Sequence, residues 1–416
     1  MNGIGICIFS KKGNSSVLLA LIFSAMLMLT VVFVYAGANF TNYSYEESVL
    51  QTSGRAILSE FHAALKDDYG IFAFKDFYNN TEDKLKFYIL ENFRSKKEAK
   101  SFALVKPKLE SCTVILDEFA LIEPDNFKKE ALESLKYPSI VKKENKGKSE
   151  DSEGVIRNKR LISKLPSNTY GKEAVTSIFS NVTELVPTGK ISIENFCMDM
   201  YIEKNFNTYD KNSSKNYTFF QNEIEYIIYG KLSDAANLEA FKRDFWIMRL
   251  ALNSAHIYAN PKKMQEITEL AEILTPGVAA VATAVIIAEA WAIAETSNDV
   301  KLILDKKNVA FAKTDMQWAV GLGAIKDKIY GIVAKKSDDS RGYIVPTDTS
   351  GMSYDEYLRL VLAAQKEEKK IYRSMDLIQI NLQGCDDEDF FIEDCYTGLA
   401  YNVLVNGKRH QNVQNY

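Results

Sequence analysis

Between Val17 and Ala36 the chain reads VLLALIFSAMLMLTVVFVYA, twenty residues with no charge and with Ser24 and Thr30 as its only aliphatic hydroxyls. A helix of that length rises about 30 Å, the thickness of a bilayer's hydrocarbon core. One membrane crossing over 17–36 is therefore the first expectation. Lys11 and Lys12 precede it with no acidic residue, whereas Glu46 and Glu47 come before Arg55, the first positive residue beyond it. Positive charge is retained on the cytoplasmic side, which makes 1–16 a cytoplasmic leader and places the bulk of the chain in an extracytoplasmic space, in the cell membrane. A second reading stays open, because Ala36-Gly37-Ala38 fits the small-residue cleavage pattern of a secretory signal and would release a product starting at Asn39.

The length of 416 residues corresponds to two or three folding units. Val49, Leu50, Ile57, Phe61 and Leu65 recur at near-helical spacing, so the spacing predicts a stem helix continuing to Asp67-Asp68-Tyr69 and capped by Gly70. A helix over about 82–97 and short strands within 102–122 complete a small mixed α/β membrane-proximal region spanning 37–140. Residues 141–154, VKKENKGKSEDSEG, carry too little apolar surface to offset the entropy of ordering and read as a charged linker or loop. From 155 to 416 the pattern is mainly helical. Asp234 is the expected N-cap of a helix whose stripe is Leu238, Phe241, Phe245, Met248 and Leu252, and Pro261 opens the next helix, to Leu274. Ser353 with Glu356 forms a capping box for one long helix carrying Tyr354, Tyr357, Leu358, Val361, Leu362, Tyr372 and Met375. The apolar stretch 276–295 is long enough for a second crossing, but Glu289 and Glu295 favour a helix buried among its neighbours. The fold class expected is α+β, mainly α, with an N-terminal transmembrane stem and a C-terminal helical domain.

Chemistry is sparsely signalled. With 51 Lys+Arg against 55 Asp+Glu the net charge is −4, and no basic excess points to nucleic acid. His62, His256 and His410 stand alone, without zinc-ligand spacing. Gly147-Lys148-Ser149 imitates the end of a P-loop, but Lys142 occupies the place of its first glycine; Ser139 and Lys142 have Ser/Lys spacing without companion motifs. No enzyme, cofactor, metal or small-molecule substrate is expected; the partners expected are the membrane and other proteins. The acidic run Asp386, Asp387, Glu388, Asp389, Glu393 and Asp394 reads as a solvated loop, with calcium chelation as its rival. In an extracytoplasmic domain Cys385 and Cys395 are candidates for one disulfide and Cys112 and Cys197 for a second, against the alternative of buried thiols. The aromatic run 217–229, YTFFQNEIEYIIY, reads as core in preference to an interaction surface.

The pattern KKGNSSVLLALIFSAMLMLTVVFVYAGANF, leading into a polar helix, resembles the TadE/TadG-like proteins of tight-adherence (Flp) pilus systems. Lys11-Lys12-Gly13 has the form of a prepilin leader, although a cut after Gly13 puts Leu18 where pilin-type substrates carry Glu. More of the chain resembles an uncharacterised family of bacterial single-pass membrane proteins associated with such pili. The stretches that carry this are 65–72 (LKDDYGIF), 223–231 (EIEYIIYGK) with Ser233, Asp234 and Asn237, the helix around Arg249 to Asn253, and 354–358 (YDEYL). The resemblance implies a bitopic protein that is a structural or assembly component of a pilus or surface apparatus. Ala20, Ser24 and Ala25 are the small residues at which its stem would pack on other membrane helices. The alternative is a secreted or anchored binding module for cell wall or a protein partner.

Overall fold

The computed structural model describes residues 12–76, 80–98, 107–136, 154–156, 159–170, 193–211, 217–329, 342–385 and 387–416. Residues 141–153 of the linker read over 141–154, the leader residues 1–11 and the Ser139/Lys142 and Gly147 motifs lie outside these. The chain divides into two units: one from Met1–His62, Phe72–Ala120 and Asp394–Tyr416, the other from Ala63–Ile71 and Leu121–Glu393. Residues 394–416 thus join the N-terminal residues and not the helical domain in which the sequence reading put them.

The first unit is built on α1 (Lys12–Leu58), a single helix of 47 residues, about 70 Å long. Its C-terminal half packs with α2 (Thr81–Glu98) on a three-stranded antiparallel sheet of β2 (Leu109–Ile115), β4 (Gly398–Val405) and β5 (Lys408–Asn415), in the order β2-β4-β5. A two-stranded piece pairs β1 (Phe74–Lys75) with β3 (Cys395–Tyr396). Strand β4 alternates as a half-buried strand should: Leu399, Tyr401, Val403 and Val405 face Val49, Leu50 and Ile57 of α1 and Leu85, Ile89 and Phe93 of α2. Asn406 and Gly407, both at positive φ (51° and 72°), make the two-residue turn into β5. The stem helix stops earlier than its periodicity predicts. The hydroxyl of Tyr416 takes the Leu58 carbonyl, the Ser59 hydroxyl takes that of Ala56, and the chain turns before the separate short helix Ala63–Tyr69 of the second unit, which ends at Gly70 with φ +70°.

The second unit is helical. Helices α3 (Pro124–Lys136) and α4 (Ile193–Asn205) pack on each other, and α5 (Glu223–Tyr229) is buried along its entire length. Then come α6 (Asp234–Ala259), α7 (Pro261–Leu274) and α8 (Ala279–Leu304), which pack pairwise, followed by α9 (Leu322–Ile329), α10 (Tyr354–Ala363) and α11 (Glu367–Cys385). Asn260 accepts from the N–H groups of Lys262 and Lys263 ahead of Pro261, and Ser353 with Glu356 forms the capping box. Two expectations change. Ser233, not Asp234, caps α6; the Asp234 carboxylate accepts instead from the N–H groups of Gln221 and Asn222 at 3.0 and 2.8 Å. The long helix predicted from Ser353 is two helices, because Gln365 N–H turns back to the Leu362 carbonyl before α11 begins. The apolar stretch 276–295 lies mostly in α8, with Ala284, Ile287, Ala288, Trp291 and Ala292 buried against α6 and α7.

Gly54 sits inside α1, where glycine costs about 1 kcal/mol relative to alanine. A Cβ there would lie 2.5 Å from Gln414 Oε1 and 2.7 Å from the Tyr401 hydroxyl, which itself donates to the Leu50 carbonyl at 2.8 Å. Gly54→Val is expected to lower the stability of the first unit by about 1–3 kcal/mol through overpacking, read as a drop in the denaturant midpoint of the detergent-solubilised chain; an unchanged midpoint would refute the close approach.

Candidate functional site: the stem and its socket

From Val17 to Tyr35 the apolar side chains of α1 are exposed around the whole circumference of the helix, Leu19 by 72%, Met28 by 74% and Phe33 by 67%. The two aliphatic hydroxyls within this length are satisfied by the helix itself: Ser24 donates to the Leu21 carbonyl at 2.9 Å and Thr30 to that of Leu27 at 2.8 Å. A helix apolar on every side, with its one phenol at the end of the stretch, suits a hydrocarbon solvent. It is long and apolar enough to cross a bilayer, a property that membrane anchors and secretion signals share. Ala20, Ser24 and Ala25 all lie in this exposed length, and their i, i+4, i+5 spacing puts them on one side of it.

Some ten residues beyond Ala36 the same helix enters a polar socket. His410 on β5 is 1% exposed. Its Nδ1 is 3.1 Å from Glu47 Oε2 and its Nε2 is 3.4 Å from Glu46 Oε2, while Tyr43 stacks on the imidazole at 4.8 Å. Asn406 donates to the other Glu46 oxygen at 2.9 Å, and Gln414 donates to the Gln51 carbonyl at 3.0 Å. Asn92 of α2 donates to the buried Ser53 hydroxyl of the same helix at 3.2 Å. The His410 contact with Glu47, together with Asn406 on Glu46 and Gln414 on Gln51, fixes the rotation and height of α1 against the sheet, while His410 Nε2 and Glu46 Oε2 face each other without a hydrogen bond.

In the second unit the buried charges hold loops in place. Arg249 of α6 is fully buried; its Nε reaches Asp299 Oδ2 at 3.0 Å, its Nη1 the carbonyls of Ala310 and Phe311 at 2.9 and 2.8 Å, and its Nη2 Asn253 Oδ1 at 3.0 Å. Lys313 pairs with both Glu295 and Asp299, and Glu295 also accepts from the N–H groups of Ala319 and Val320. Two carboxylates and two cations thus neutralise each other while pinning 310–320 onto α6 and α8. On α5, Glu225 accepts from the Tyr354 hydroxyl at 2.7 Å and from Tyr209 N–H at 3.0 Å. Burial pushes its carboxyl up to about 7, against the pull of those two bonds. Asp376 of α11, raised by burial to about 6, accepts from the Tyr226 hydroxyl and the Ser167 N–H.

Cys112 lies buried in β2 and Cys395 buried in β3, both in the first unit; Cys197 is half-buried in α4 and Cys385 exposed at the end of α11, both in the second. All four are thiols in this structure, and burial raises that of Cys112 to about 11. In the acidic run the Asp387 carboxylate is used by the local turn, accepting from Asp389 N–H at 3.1 Å; Asp386 lies outside the described residues. Among the described residues no group of three His, Cys, Asp or Glu side chains is placed to hold a metal ion. The aromatic run 217–229 is core: Phe220, Tyr226 and Tyr229 are buried. A surface recess of about 340 Å³ has Phe206, Ile224, Leu358 and Leu362 in its lining, with Arg359 paired to Glu203 and Thr208 bonded to Asp355 at its edge. Sequence reasoning saw His410 as standing alone, because its carboxylate neighbours lie more than 360 residues earlier in the chain.

The profile of a family described as "Family of unknown function (DUF5702)" matches residues 123–407. No curated protein and no solved structure matches the chain.

His410→Phe keeps a ring against Tyr43 but removes the buried contact with Glu47. The expected cost is about 1–2 kcal/mol, visible as a lower unfolding midpoint; a midpoint within experimental error of the wild type would show that this contact does not hold α1. For Glu225 the folded value of about 7 lies above the unfolded value of 4.5, so the folded chain holds the extra proton between them. Stability is then greatest below pH 4.5 as far as this group is concerned, and falls by about 3 kcal/mol as pH rises to about 7. Glu225→Gln should remove that portion of the slope when unfolding free energies of the two proteins are compared from pH 4 to pH 8.

Proposed function

The chain belongs to DUF5702, a family of unknown function, and we propose from its own geometry that it is a non-enzymatic bitopic membrane protein. Its N-terminus lies in the cytoplasm and the rest of the chain outside. It works as a structural or assembly component of a tight-adherence (Flp) type pilus or related surface apparatus.

The observation that carries this reading is the continuity of α1. One helix is apolar on all sides over 17–35 and is built into a folded core over 46–58, without a break or a glycine-rich hinge between. Such an element transmits a displacement or rotation of its membrane half directly to the β2-β4-β5 sheet, as expected of a part that is packed and moved by neighbouring membrane helices. The lysines before the span and the carboxylates after it support the orientation. The resemblance of the stem to TadE/TadG-like proteins supports the apparatus. A secreted or anchored binding module is the second reading, favoured by the apolar edge that Val278, Val281, Val285 and Ile286 expose at the start of α8.

The test is to recover the protein from the membranes and medium of its native host, read its N-terminus, and image the surface of a deletion strain. A membrane-bound chain that starts at residue 1 or at Asn14, together with lost or shortened pili in the deletion strain, is the expected result. A product starting at Asn39 in the medium, or normal piliation without the gene, overturns it.

A further inference from the structure

The first unit has a basic end, and it is the end that faces the apolar length of α1. Contacts of α1 with the sheet run in order along both: Glu46 meets Asn406, the Gln51 carbonyl meets Gln414 and the Leu58 carbonyl meets Tyr416. The turn Asn406-Gly407 therefore lies at the end of the sheet nearer residue 36. Helix α2 runs back the other way, since Lys84 meets Glu60 at 2.6 Å while the Tyr45 hydroxyl donates to the Asn92 carbonyl at 3.4 Å. Its last turn reaches that same end. So does the start of β2, because Asn406 exchanges two hydrogen bonds with Lys108: the Asn406 N–H donates to the Lys108 carbonyl and the Asn406 side chain accepts from the Lys108 N–H, each at 3.1 Å.

Each of these three segments is basic. Helix α2 ends with Arg94, Lys96 and Lys97, β2 is entered through Lys108, and the turn leads into Lys408 and Arg409. Arg94, Lys108 and Arg409 are exposed, and the Lys408 ammonium stands 6.0 Å from the ring centroid of Tyr43 on α1. Of the acidic residues at this end, Glu46 and Glu47 are taken up inside the fold by Asn406 and His410. Glu91, 3.8 Å from Arg94, with Glu98 and Glu110, offsets only part of the positive charge.

Tyr43 is seven residues beyond Ala36, about 10 Å along the axis, and its side chain leans back toward the helix N-terminus. Headgroups extend about 5–8 Å beyond the hydrocarbon. Lys408 thus stands at their outer edge, within a screening length of about 8 Å. Tyr35 and Phe40, 70% and 74% exposed, occupy the interval as aromatic residues do at a bilayer surface. Arg94, the earliest of these basic residues, is 58 residues past Ala36, too far along the chain to bear on the orientation of the span. The fold brings them back to it.

We propose that this end of the first unit docks on the anionic headgroups of the membrane that α1 crosses, an inference that rests on the reading of 17–36 as a membrane span. Cations carried by three segments around one helix meet a charged plane better than they meet a single small ion. Docking holds the β4-β5 turn against the surface and so sets the tilt at which α1 leaves the bilayer.

The test reconstitutes the full chain in vesicles of phosphatidylcholine alone and of phosphatidylcholine mixed equally with phosphatidylglycerol. Acylation of each lysine by a reagent that does not cross the bilayer is followed by mass spectrometry, so that only outward-facing chains report. Phosphatidylglycerol should slow acylation of Lys108 and Lys408 about threefold or more at low ionic strength, and molar salt should remove the difference. Lys84, held by Glu60 at the far end of the unit, is the internal reference and should change little. Lys408→Gln combined with Arg409→Gln should relieve most of the slowing at Lys108. Equal rates in the two kinds of vesicle, from a chain that resists carbonate extraction, overturn the docking and leave the span standing. Full slowing of Lys108 in the double variant also overturns it, as does equal slowing by inorganic phosphate in phosphatidylcholine vesicles at matched ionic strength, which assigns a free ion. Release of the chain by carbonate overturns the span and the docking with it.

Discussion

A helix that must be soluble in two media at once sets the terms for the first unit. An α-helix satisfies its backbone hydrogen bonds internally, so it alone can leave a hydrocarbon phase and enter a protein core without a change of conformation. The side chains carry the whole adjustment. Over 17–35 they are almost all apolar, and the two aliphatic hydroxyls turn back on the helix's own carbonyls. From Glu46 onward the sheet supplies partners for polar groups of the helix: His410 and Asn406 for the carboxylates, Tyr401 and Gln414 for the backbone of Leu50 and Gln51. Gly54 then lets the helix approach the sheet more closely than any side chain would permit.

The second unit uses buried charge in a different way. Beside ion pairs on its surface it has a buried set, in which Arg249, Asp299, Glu295 and Lys313 are interior and close a neutral group. Replacing such a set by well-packed apolar side chains is often neutral or stabilising in other proteins, so stability alone is a poor reason for it. What it supplies here is register for backbone that has no regular structure. The segment 310–320 is tied by its carbonyls to Arg249 and by its N–H groups to Glu295, and Asn298 does the same for Ile344 through both its amide atoms.

Local signals in the sequence were legible because they depend on neighbours in the chain. The apolar run, Asn260 with Pro261 and the Ser353/Glu356 box can be read within a few residues, and each was realised. The stem was read too far because Phe61 and Leu65 continue its periodicity, and periodicity does not register that Tyr416 takes the Leu58 carbonyl. Strand β5 was missed for a subtler reason. Its inward positions are His410 and Gln414 and its most exposed apolar residue is Val413, so its alternation is the reverse of that expected over an apolar core. The Asn406-Gly407 pair was the one local sign of that hairpin.

The sheet order β2-β4-β5 also governs when the first unit can form. Its helices and β2 are made before all of the second unit but Ala63–Ile71, whereas β4 and β5 follow all of it in the chain, and β4 is the strand between the other two. During synthesis the helical unit is therefore complete while α1 still exposes Val49, Leu50 and Ile57, and β2 still lacks its partner. Contacts of such long sequence separation form late, and the intervening unit must fold without them. An unpaired β2 beside an apolar helix face is a template for association with other chains during that interval.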